Sequence, residues 1–287
     1  MKKKIPTNFI IESRGLIRYI VYTWIRRCYV YIFARPSMQH TNDIILKLAM
    51  HGRGYKNHGF VESGEDIFLK TLAQHNPKIC IDIGANKGIY TQKLLELTNS
   101  SVIAFEPLPK AFFDLIGLQK IYPNRLICIN KGVGDINSEL EIFFGEEDSE
   151  HASFSKEINE IDAIRDKNTN NLKVKITTLD TFILESYPEL SGVDLIKIDT
   201  EGFEYEVLVG AKETIKNLRP KFFQIEYNWH QLFKSQSLYK LALHLPGYSA
   251  YQILPYGEGL APIDIKSPES NIYEYSNFIF ARSDIVI

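Results

Sequence analysis

The stretch Lys78-Ile79-Cys80-Ile81-Asp82-Ile83-Gly84-Ala85-Asn86-Lys87-Gly88 decides the fold. It opens with a short apolar run, which is typical of a strand buried on both faces of a parallel sheet. A turn with glycine at positions 84 and 88 follows, and then a helical pattern through Tyr90, Leu94 and Leu97. Glycines let a ligand approach the backbone, and a helix N-terminus offers unpaired N–H groups. The stretch therefore predicts a site for a nucleotide-type cofactor.

The rest of the chain continues this alternation of strands and helices. Apolar strands are expected at residues 101–105, 125–130, 194–198, 221–225 and 277–281, with helices at 109–122 and 205–218. Residues 139–144 and 174–178 alternate like antiparallel strands, and we interpret the polar interval 145–173, which includes His151 and Ser153, as a mobile lid near the site. Apolar strands separated by helices predict an α/β fold with a mostly parallel sheet covered on both faces.

The glycine spacing and two acidic residues narrow the ligand. The spacing is neither G-x-G-x-x-G nor G-x-x-x-x-G-K-[ST], which disfavours a dinucleotide or a triphosphate. Asp82 would repel a pyrophosphate, but it can accept hydrogen bonds from an ammonium group and offset a sulfonium charge. Glu106 ends the next strand, where a carboxylate can accept both hydroxyls of a ribose. The two acids together favour an adenosine cofactor with a cationic end.

Three ordered motifs carry a family resemblance. They are Ile81 to Gly88, Ala104-Phe105-Glu106-Pro107 and Ile196-Lys197-Ile198-Asp199-Thr200-Glu201-Gly202-Phe203-Glu204, accompanied by Gly64-Glu65 and Gly132-Val133-Gly134-Asp135. Over about residues 50–282 the chain resembles the FkbM-type methyltransferase family. The resemblance implies a class I methyltransferase (Rossmann-like) fold, a doubly wound seven-stranded sheet, mostly parallel with one antiparallel strand. It also implies S-adenosyl-L-methionine as cofactor and O-methylation of a hydroxyl on a sugar, glycan, lipid-linked or natural-product acceptor.

The same resemblance assigns cofactor-binding residues. It implies a methionine side lined by Asp82, Gly84, Ala85, Asn86 and Gly88, a ribose held by Glu106, and an adenine beside Gly134 and Asp135. Glu65 would close over the methionine end, although an acid at the start of a helix is an equal explanation. The sequence departs from the family at Lys87, where an apolar residue is usual, and we expect this side chain to point outward.

The Asp199 to Glu204 motif supplies candidates for the catalytic base. A hydroxyl acceptor benefits from a base that takes its proton, and Asp199, Glu201 and His230 are the candidates. Glu201 and Glu204 have a second explanation, because carboxylates in the first turn of a helix stabilise its positive end. Asp199 with Glu201 or Glu204 could also hold a divalent metal, but the sequence shows no second ligand cluster, so no metal is expected.

The N-terminal region differs from the rest in charge. Residues 1–36 carry eight basic side chains and one acid, a net charge of +7, which leaves −9 for the remainder of a chain with net charge −2. We predict a basic, aromatic helical extension at residues 1–49 and a methyltransferase domain at 50–287. The extension either packs on the domain or a partner subunit, or lies on a membrane as a peripheral anchor. Its apolar blocks are too short to span a bilayer.

Composition excludes some classes of protein and leaves two alternative functions. The overall charge disfavours a nucleic-acid binder, and three cysteines without a paired spacing favour a reducing cytoplasm over a disulfide framework. One alternative is an NAD(P)-dependent Rossmann enzyme, since Glu106 would also suit its ribose. The other is a non-catalytic binding module on a methyltransferase fold, which would be expected to lack Asp82, Gly84 or Glu106.

Overall fold

The computed structural model describes residues 7–145, 152–154, 168–257 and 259–287, with side chains from Tyr19 onward in the first helix. The chain forms two compact units, residues 1–50 and residues 51–287. Of the interval expected to form a lid, residues 146–151 and 155–167 lie outside the described part, and His151 with them.

The N-terminal unit is helical. It comprises α1 (Thr7–Phe33), a 3₁₀ turn at Pro36–Met38, and α2 (Gln39–Gly52). The Tyr29 hydroxyl donates to Asn42 Oδ1 at 2.6 Å, and Asn42 Nδ2 donates to the Phe33 carbonyl at 3.0 Å, so the two helices are tied together. Across the described residues, no helix combines the length and apolar character needed to cross a bilayer.

The second unit alternates strands and helices. Its strands are β1 (Ile79–Ile83), β2 (Ser101–Phe105), β3 (Leu126–Ile129), β4 (Gly132–Val133), β5 (Ser138–Phe144), β6 (Asn170–Thr177), β7 (Leu195–Ile198), β8 (Phe222–Tyr227), β9 (Tyr248–Ile253), β10 (Leu260–Pro262) and β11 (Ser276–Arg282). Its described helices are α3 (Glu65–Gln74), α4 (Ile89–Leu97), α5 (Pro109–Ile121), α6 (Leu179–Ser186), α7 (Glu204–Val209), α8 (Lys212–Leu218), α9 (His230–Phe233) and α10 (Leu238–Ala242).

The main sheet has the order β10-β9-β11-β8-β7-β1-β2-β3. The five neighbouring strands β8, β7, β1, β2 and β3 are parallel. Strand β11 runs antiparallel to β8, and β9 runs antiparallel to β11. The predicted class I sheet is thus confirmed. A three-residue strand, β10, extends its edge antiparallel to β9, because the turn at Pro255–Gly257 folds the chain back.

A smaller sheet has the order β4-β6-β5. Strands β5 and β6 pair antiparallel, with Ser138 opposite Ile176 and Phe144 opposite Asn170. This pairing confirms the antiparallel strands expected from residues 139–144 and 174–178. The side chains of Ile142, Phe144, Val174 and Ile176 pack in a small core with Leu108 and Ala111.

Some details differ from the sequence-based expectation. Residues 170–173, expected to belong to the lid, are the first half of β6 and pair with residues 141–144 of β5. The helix expected at 205–218 is two helices, because the chain turns between them at Gly210, where a Cβ atom would lie 1.9 Å from the Gly134 carbonyl oxygen. Strand β9 was not predicted, since Tyr248-Ser249-Ala250-Tyr251-Gln252-Ile253 mixes polar and aromatic residues and lacks a clean strand pattern.

The register of the parallel strands positions the site. Ile83 lies beside Phe105 on one side and Ile198 on the other, and Ile198 lies beside Ile225. The residues that follow are Gly84, Glu106, Asp199 and Glu226, so these four meet at the carboxyl edge of the sheet. Ligands of open α/β sheets bind at this edge.

Candidate active site

A cavity of about 380 Å³ opens at the carboxyl edge of the sheet. This volume is in the range of small-molecule and cofactor sites, roughly 300–1,000 Å³. Its lining includes the carboxyl side chains of Glu65, Glu106, Asp199, Glu201 and Glu226. Three lysines, Lys87, Lys131 and Lys197, also line it, so the carboxyl groups outnumber the ammonium groups by five to three. This excess of acids favours a ligand that carries positive charge.

Glu106 joins the loops after β1 and β2. Its Oε2 accepts the Asn86 N–H at 2.8 Å, and its Oε1 accepts the Leu108 N–H at 2.8 Å. Burial raises the pKa of Glu106 to about 7, and the carboxylates of Asp82 and Asp199 act in the same direction. Each oxygen keeps a second lone pair, so the group can still accept hydroxyls of a ribose.

The loop after β1 lines the cavity with Gly84, Ala85 and Asn86, as the sequence predicts. Gly84 has a φ of +82°, and a Cβ atom there would lie 1.7 Å from the Asp199 carbonyl oxygen, so no other residue fits. Asn86 also has a positive φ, +49°, and its buried Oδ1 has no hydrogen-bond partner among the described residues. Asn86 therefore offers an acceptor to a ligand. Lys87 is exposed and also belongs to the cavity lining.

Asp82 occupies a different place from the one predicted. Its side chain is fully buried and does not line the cavity. Oδ2 accepts the Thr91 hydroxyl at 2.5 Å, and Oδ1 lies 3.7 Å from Lys197 Nζ, because Asp82 and Lys197 are direct partners across β1 and β7. Asp82 thus lies behind the cavity wall, beside Lys197, which does line the cavity.

Gly88, Gly134 and Asp135 also lie outside the cavity lining. Gly88 begins α4 with a φ of +84°, and a Cβ there would lie 2.7 Å from Leu115. A Cβ at Gly134 would lie 2.8 Å from the Phe203 ring, and Asp135 is exposed. Lys131, Gly132 and Val133 line the cavity instead, so this segment meets the site slightly earlier in the chain than predicted.

Glu65 lines the cavity and is also the first residue of α3. Its Oε1 accepts Gln224 Nε2 at 2.6 Å, and its Oε2 accepts the Ser63 hydroxyl at 3.2 Å. Burial raises the pKa of Glu65 to about 6. Its position is compatible with both explanations given for it, a ligand contact and a helix-terminal charge.

Asp199 stands between a cation and a second acid. Lys197 Nζ donates to Asp199 Oδ2 at 2.8 Å and lies 4.9 Å from the centre of the Tyr90 ring. Burial opposes ionisation of Asp199, but the Lys197 ammonium outweighs it and holds the pKa of Asp199 below its usual value. Burial and the Asp199 and Glu201 carboxylates raise the pKa of Glu226 well above the usual value. A hydrogen bond joins the side chains of Asp199 and Glu226.

Glu201 and His230 meet at the same end of the cavity. His230 is 1% exposed, and its Nδ1 lies 3.1 Å from Glu201 Oε2. Within the described part of the chain neither ring nitrogen of His230 has a hydrogen-bond partner. Asn228 Nδ2 donates to Glu226 Oε1 at 2.9 Å and to Glu201 Oε2 at 3.2 Å, so it links the two carboxyl groups.

The backbone of Glu201 is held in an unusual conformation. Its φ of +51° is in the left-handed region, which costs a residue other than glycine about 1–3 kcal/mol. The Ser153 hydroxyl donates to the Glu201 carbonyl at 2.9 Å, and Glu204 Oε1 accepts the N–H groups of Thr200 and Gly202. Glu204 therefore has the structural role considered for it, whereas the Glu201 side chain turns into the cavity.

Lys197, Glu226 and Asn228 are among the cavity residues that the sequence analysis did not identify. Glu226 carried a signal, because it follows an apolar run just as Glu106 and Asp199 do. Lys197 carried none, since a lysine inside a buried strand is explained only by the acids that pair with it. Asn228 depends on the turn after β8, which the sequence does not specify.

Comparison with known proteins identifies the family. The Methyltransferase FkbM domain matches residues 82–249. The chain belongs to this family. Its cofactor is S-adenosylmethionine, and the residues present fit it: Glu106 faces the cavity with free lone pairs, Asn86 Oδ1 lacks a partner, and the acidic lining suits a sulfonium and an ammonium group.

Individual relatives are distant. The chain is 24% identical over 203 residues to the 2-O-methyltransferase NoeI of Sinorhizobium fredii, covering 66% of this chain and 79% of the relative. Among solved structures, an O-methyltransferase from Bacillus cereus in complex with SAH is 14% identical, with a TM-score of 0.43 over 91% of this chain and 98% of the other. An rRNA methylase from Streptococcus thermophilus is 10% identical, with a TM-score of 0.40 over 76% and 93%.

Proposed function

We propose that this methyltransferase acts on a hydroxyl oxygen of a sugar, glycan, lipid-linked or natural-product acceptor. The observation that carries the proposal is the buried His230 imidazole, which lines the cavity 3.1 Å from a carboxylate and has no hydrogen-bond partner among the described residues. The bound cofactor supplies an electrophilic methyl group. A neutral hydroxyl then needs a base that takes its proton as the new bond forms.

The Glu201–His230 pair suits that task. In the tautomer with its proton on Nδ1, which lies 3.1 Å from Glu201 Oε2, His230 has an unprotonated Nε2 that can accept the hydroxyl proton. The imidazolium that results lies beside the Glu201 carboxylate, which stabilises its charge. Asn228 positions Glu201. Asp199, the other candidate base, is engaged by Lys197 and holds its proton less readily, so we assign it a positioning role.

The rest of the cavity supports a sugar-like acceptor. Aromatic side chains of its lining, among them Phe60, Phe154, Trp229 and Tyr275, offer flat apolar faces. Its carboxyl groups can accept hydrogen bonds from the hydroxyl groups of a sugar. The similarity to a 2-O-methyltransferase agrees with this proposal. Residues 37–287 carry a net charge of −9, which disfavours a polyanionic acceptor such as RNA.

The test uses the full chain with S-adenosylmethionine carrying a radiolabelled methyl group. It is incubated with glycan, lipid, small-molecule and RNA fractions from the source cells. Label should enter a glycan, lipid or small-molecule fraction, and H230Q should slow transfer by roughly 10²- to 10⁴-fold. H40Q, at an exposed histidine of the N-terminal unit, is the control and should transfer label at the wild-type rate. Label confined to RNA, or full activity in H230Q, would contradict the proposal.

We also propose that the N-terminal unit holds the enzyme at an anionic membrane surface. Residues 1–36 carry a net charge of +7, and Tyr22, Trp24 and Tyr31 are exposed along α1. Basic and aromatic side chains together favour the headgroup region. The full chain should sediment with vesicles that contain phosphatidylglycerol and remain free with phosphatidylcholine alone. Deletion of residues 1–36 should abolish sedimentation, and equal binding to both vesicle types would contradict this proposal.

A further inference from the structure

Three carboxyl groups converge at the His230 end of the cavity. One oxygen each from Asp199, Glu201 and Glu226 lies within 4.8 Å of the other two. The register of β7 and β8 brings Asp199 beside Glu226, and the left-handed backbone of Glu201 turns its side chain toward them. Carboxylate oxygens on three separate positions around one point are the ligand set that Mg²⁺ and Mn²⁺ prefer.

The imidazole of His230 is a second, independent observation. It is 1% exposed, and Nδ1 lies 3.1 Å from the Glu201 oxygen of this cluster. Although the two atoms are close, they are not aligned for a hydrogen bond, and Nε2 is also without a partner in the described chain. A buried imidazole without a hydrogen-bond partner beside an acidic cluster points to a polar ligand at this end of the cavity.

The hydrogen bonds that these three carboxyl groups make with Lys197 and Asn228 occupy only some of their oxygens. Lys197 Nζ contacts Asp199 Oδ2, and Asn228 Nδ2 contacts Glu226 Oε1 and Glu201 Oε2. The remaining oxygens are Asp199 Oδ1, Glu201 Oε1 and Glu226 Oε2, and a hydrogen bond joins the Asp199 and Glu226 side chains. The contacts with Lys197 and Asn228 can therefore persist, whereas a bound cation would take the place of the proton between Asp199 and Glu226.

We infer that Asp199, Glu201 and Glu226 bind one divalent cation of the Mg²⁺ or Mn²⁺ type, and that the hydroxyl group bound to this cation donates a hydrogen bond to His230. The inference deepens the proposed O-methyl transfer and rests on it only for the use of the cation. Bound to the acceptor hydroxyl, the cation would fix the oxygen and weaken its O–H bond. His230 would then receive the proton, and the new O–CH₃ bond would form as the S–CH₃ bond of the methyl donor breaks and S-adenosylhomocysteine leaves as a neutral thioether.

The experiment measures cation binding without methyl donor or acceptor. The full chain is treated with EDTA, freed of it, and titrated with Mn²⁺ while the electron paramagnetic resonance signal of free Mn²⁺ is followed. We expect one Mn²⁺ per chain, displaced by excess Mg²⁺. E201Q and E226Q should each bind at least about tenfold more weakly, since each loses one charged ligand. E185Q, which changes an exposed glutamate on α6, should bind as the wild type does.

Two outcomes would overturn the inference. In the first, the wild type shows no saturable Mn²⁺ binding. In the second, E201Q and E226Q bind Mn²⁺ as tightly as E185Q does. Far-UV circular dichroism and binding of S-adenosylhomocysteine show that each variant is folded. The two proposals fail separately: methyl transfer that survives EDTA without Mn²⁺ binding removes the cation alone, whereas Mn²⁺ binding without any methylated hydroxyl removes the proposed acceptor alone.

Discussion

The Asn86 N–H donates a 2.8 Å hydrogen bond to Glu106 Oε2, so the loop after β1 is fastened to the end of β2. This bond brings the two parts of the cofactor site together before any ligand arrives. A preorganised site loses less conformational entropy on binding. The carboxylate at the centre of this arrangement is therefore the first position to test.

Replacing Glu106 by glutamine removes the charge and keeps the size. At pH 8.5, above the raised pKa of Glu106, we expect binding of S-adenosylhomocysteine to weaken by about 10- to 100-fold, because hydrogen bonds to a charged acceptor are roughly twice as strong as neutral ones. Isothermal titration calorimetry measures the effect. E96Q, at an exposed position of α4, is the matched control. A loss below threefold in E106Q would show that Glu106 does not hold the ribose.

The pH dependence of stability follows from the same group. Burial raises the pKa of Glu106 to about 7 from an ordinary value of 4.5. The folded chain then binds more protons than the unfolded chain between these values, so the free energy of unfolding falls as pH rises from about 4.5 to 7. The contribution of Glu106 is on the order of 3 kcal/mol. Glu65, whose pKa burial raises to about 6, acts in the same direction over a narrower window.

Urea unfolding at several pH values checks this prediction. Between pH 5 and pH 7.5 the free energy of unfolding should decline less steeply in E106Q than in the wild type, because glutamine does not titrate. The difference between the two curves isolates Glu106 from the other buried acids. Parallel curves for the two proteins would be the contrary result.

Lys197 is predicted to be essential for stability. It is 4% exposed between Asp82 and Asp199, and its loss leaves both carboxyl groups without their cation. We expect K197M to lower the free energy of unfolding by about 3–5 kcal/mol. K93M, which removes a surface ion pair with Glu96, should cost less than about 1 kcal/mol. The double variant D82N/K197M should regain part of the loss, and no recovery would contradict this electrostatic account.

Two glycine substitutions separate a close backbone approach from ordinary helix propensity. G84A places a Cβ atom 1.7 Å from the Asp199 carbonyl oxygen and should cost more than about 3 kcal/mol. Gly117 lies inside α5 with open space around it, so G117A should stabilise the chain by about 0.5–1 kcal/mol. Thermal unfolding of both variants is the measurement, and similar stabilities would refute the close approach at Gly84.

The parallel strands could be read from the sequence because burial on both faces leaves a continuous apolar signal. Strand β2 was predicted at its observed limits, and β1, β3, β7 and β8 within one or two residues. Strand β9 lacked this signal, since alternate positions carry Ser249, Tyr251 and other partly exposed side chains. The break between α7 and α8 depends on the approach of Gly210 to Gly134, which is a contact distant in sequence.

The site was predictable where a side chain extends from a strand end, and less so where it depends on register. Glu106, Asp199 and Glu201 line the cavity as expected. We predicted that Asp82 faces the cofactor. Its pairing with Lys197 is set by the register of β1 and β7, and this register cannot be inferred from the sequence of a single segment. The convergence of Glu226 with Asp199 and Glu201 likewise required the order of β7 and β8.

The central claim is transfer of a methyl group to oxygen with His230 as the base. The most direct measurement uses S-adenosylmethionine with a deuterated methyl group and locates that group in the purified product by NMR. We expect an O–CD₃ ether on a sugar or natural-product hydroxyl, formed by the wild type and nearly absent with H230Q. A product deuterated on nitrogen or carbon, or equal yields from the two proteins, would contradict it.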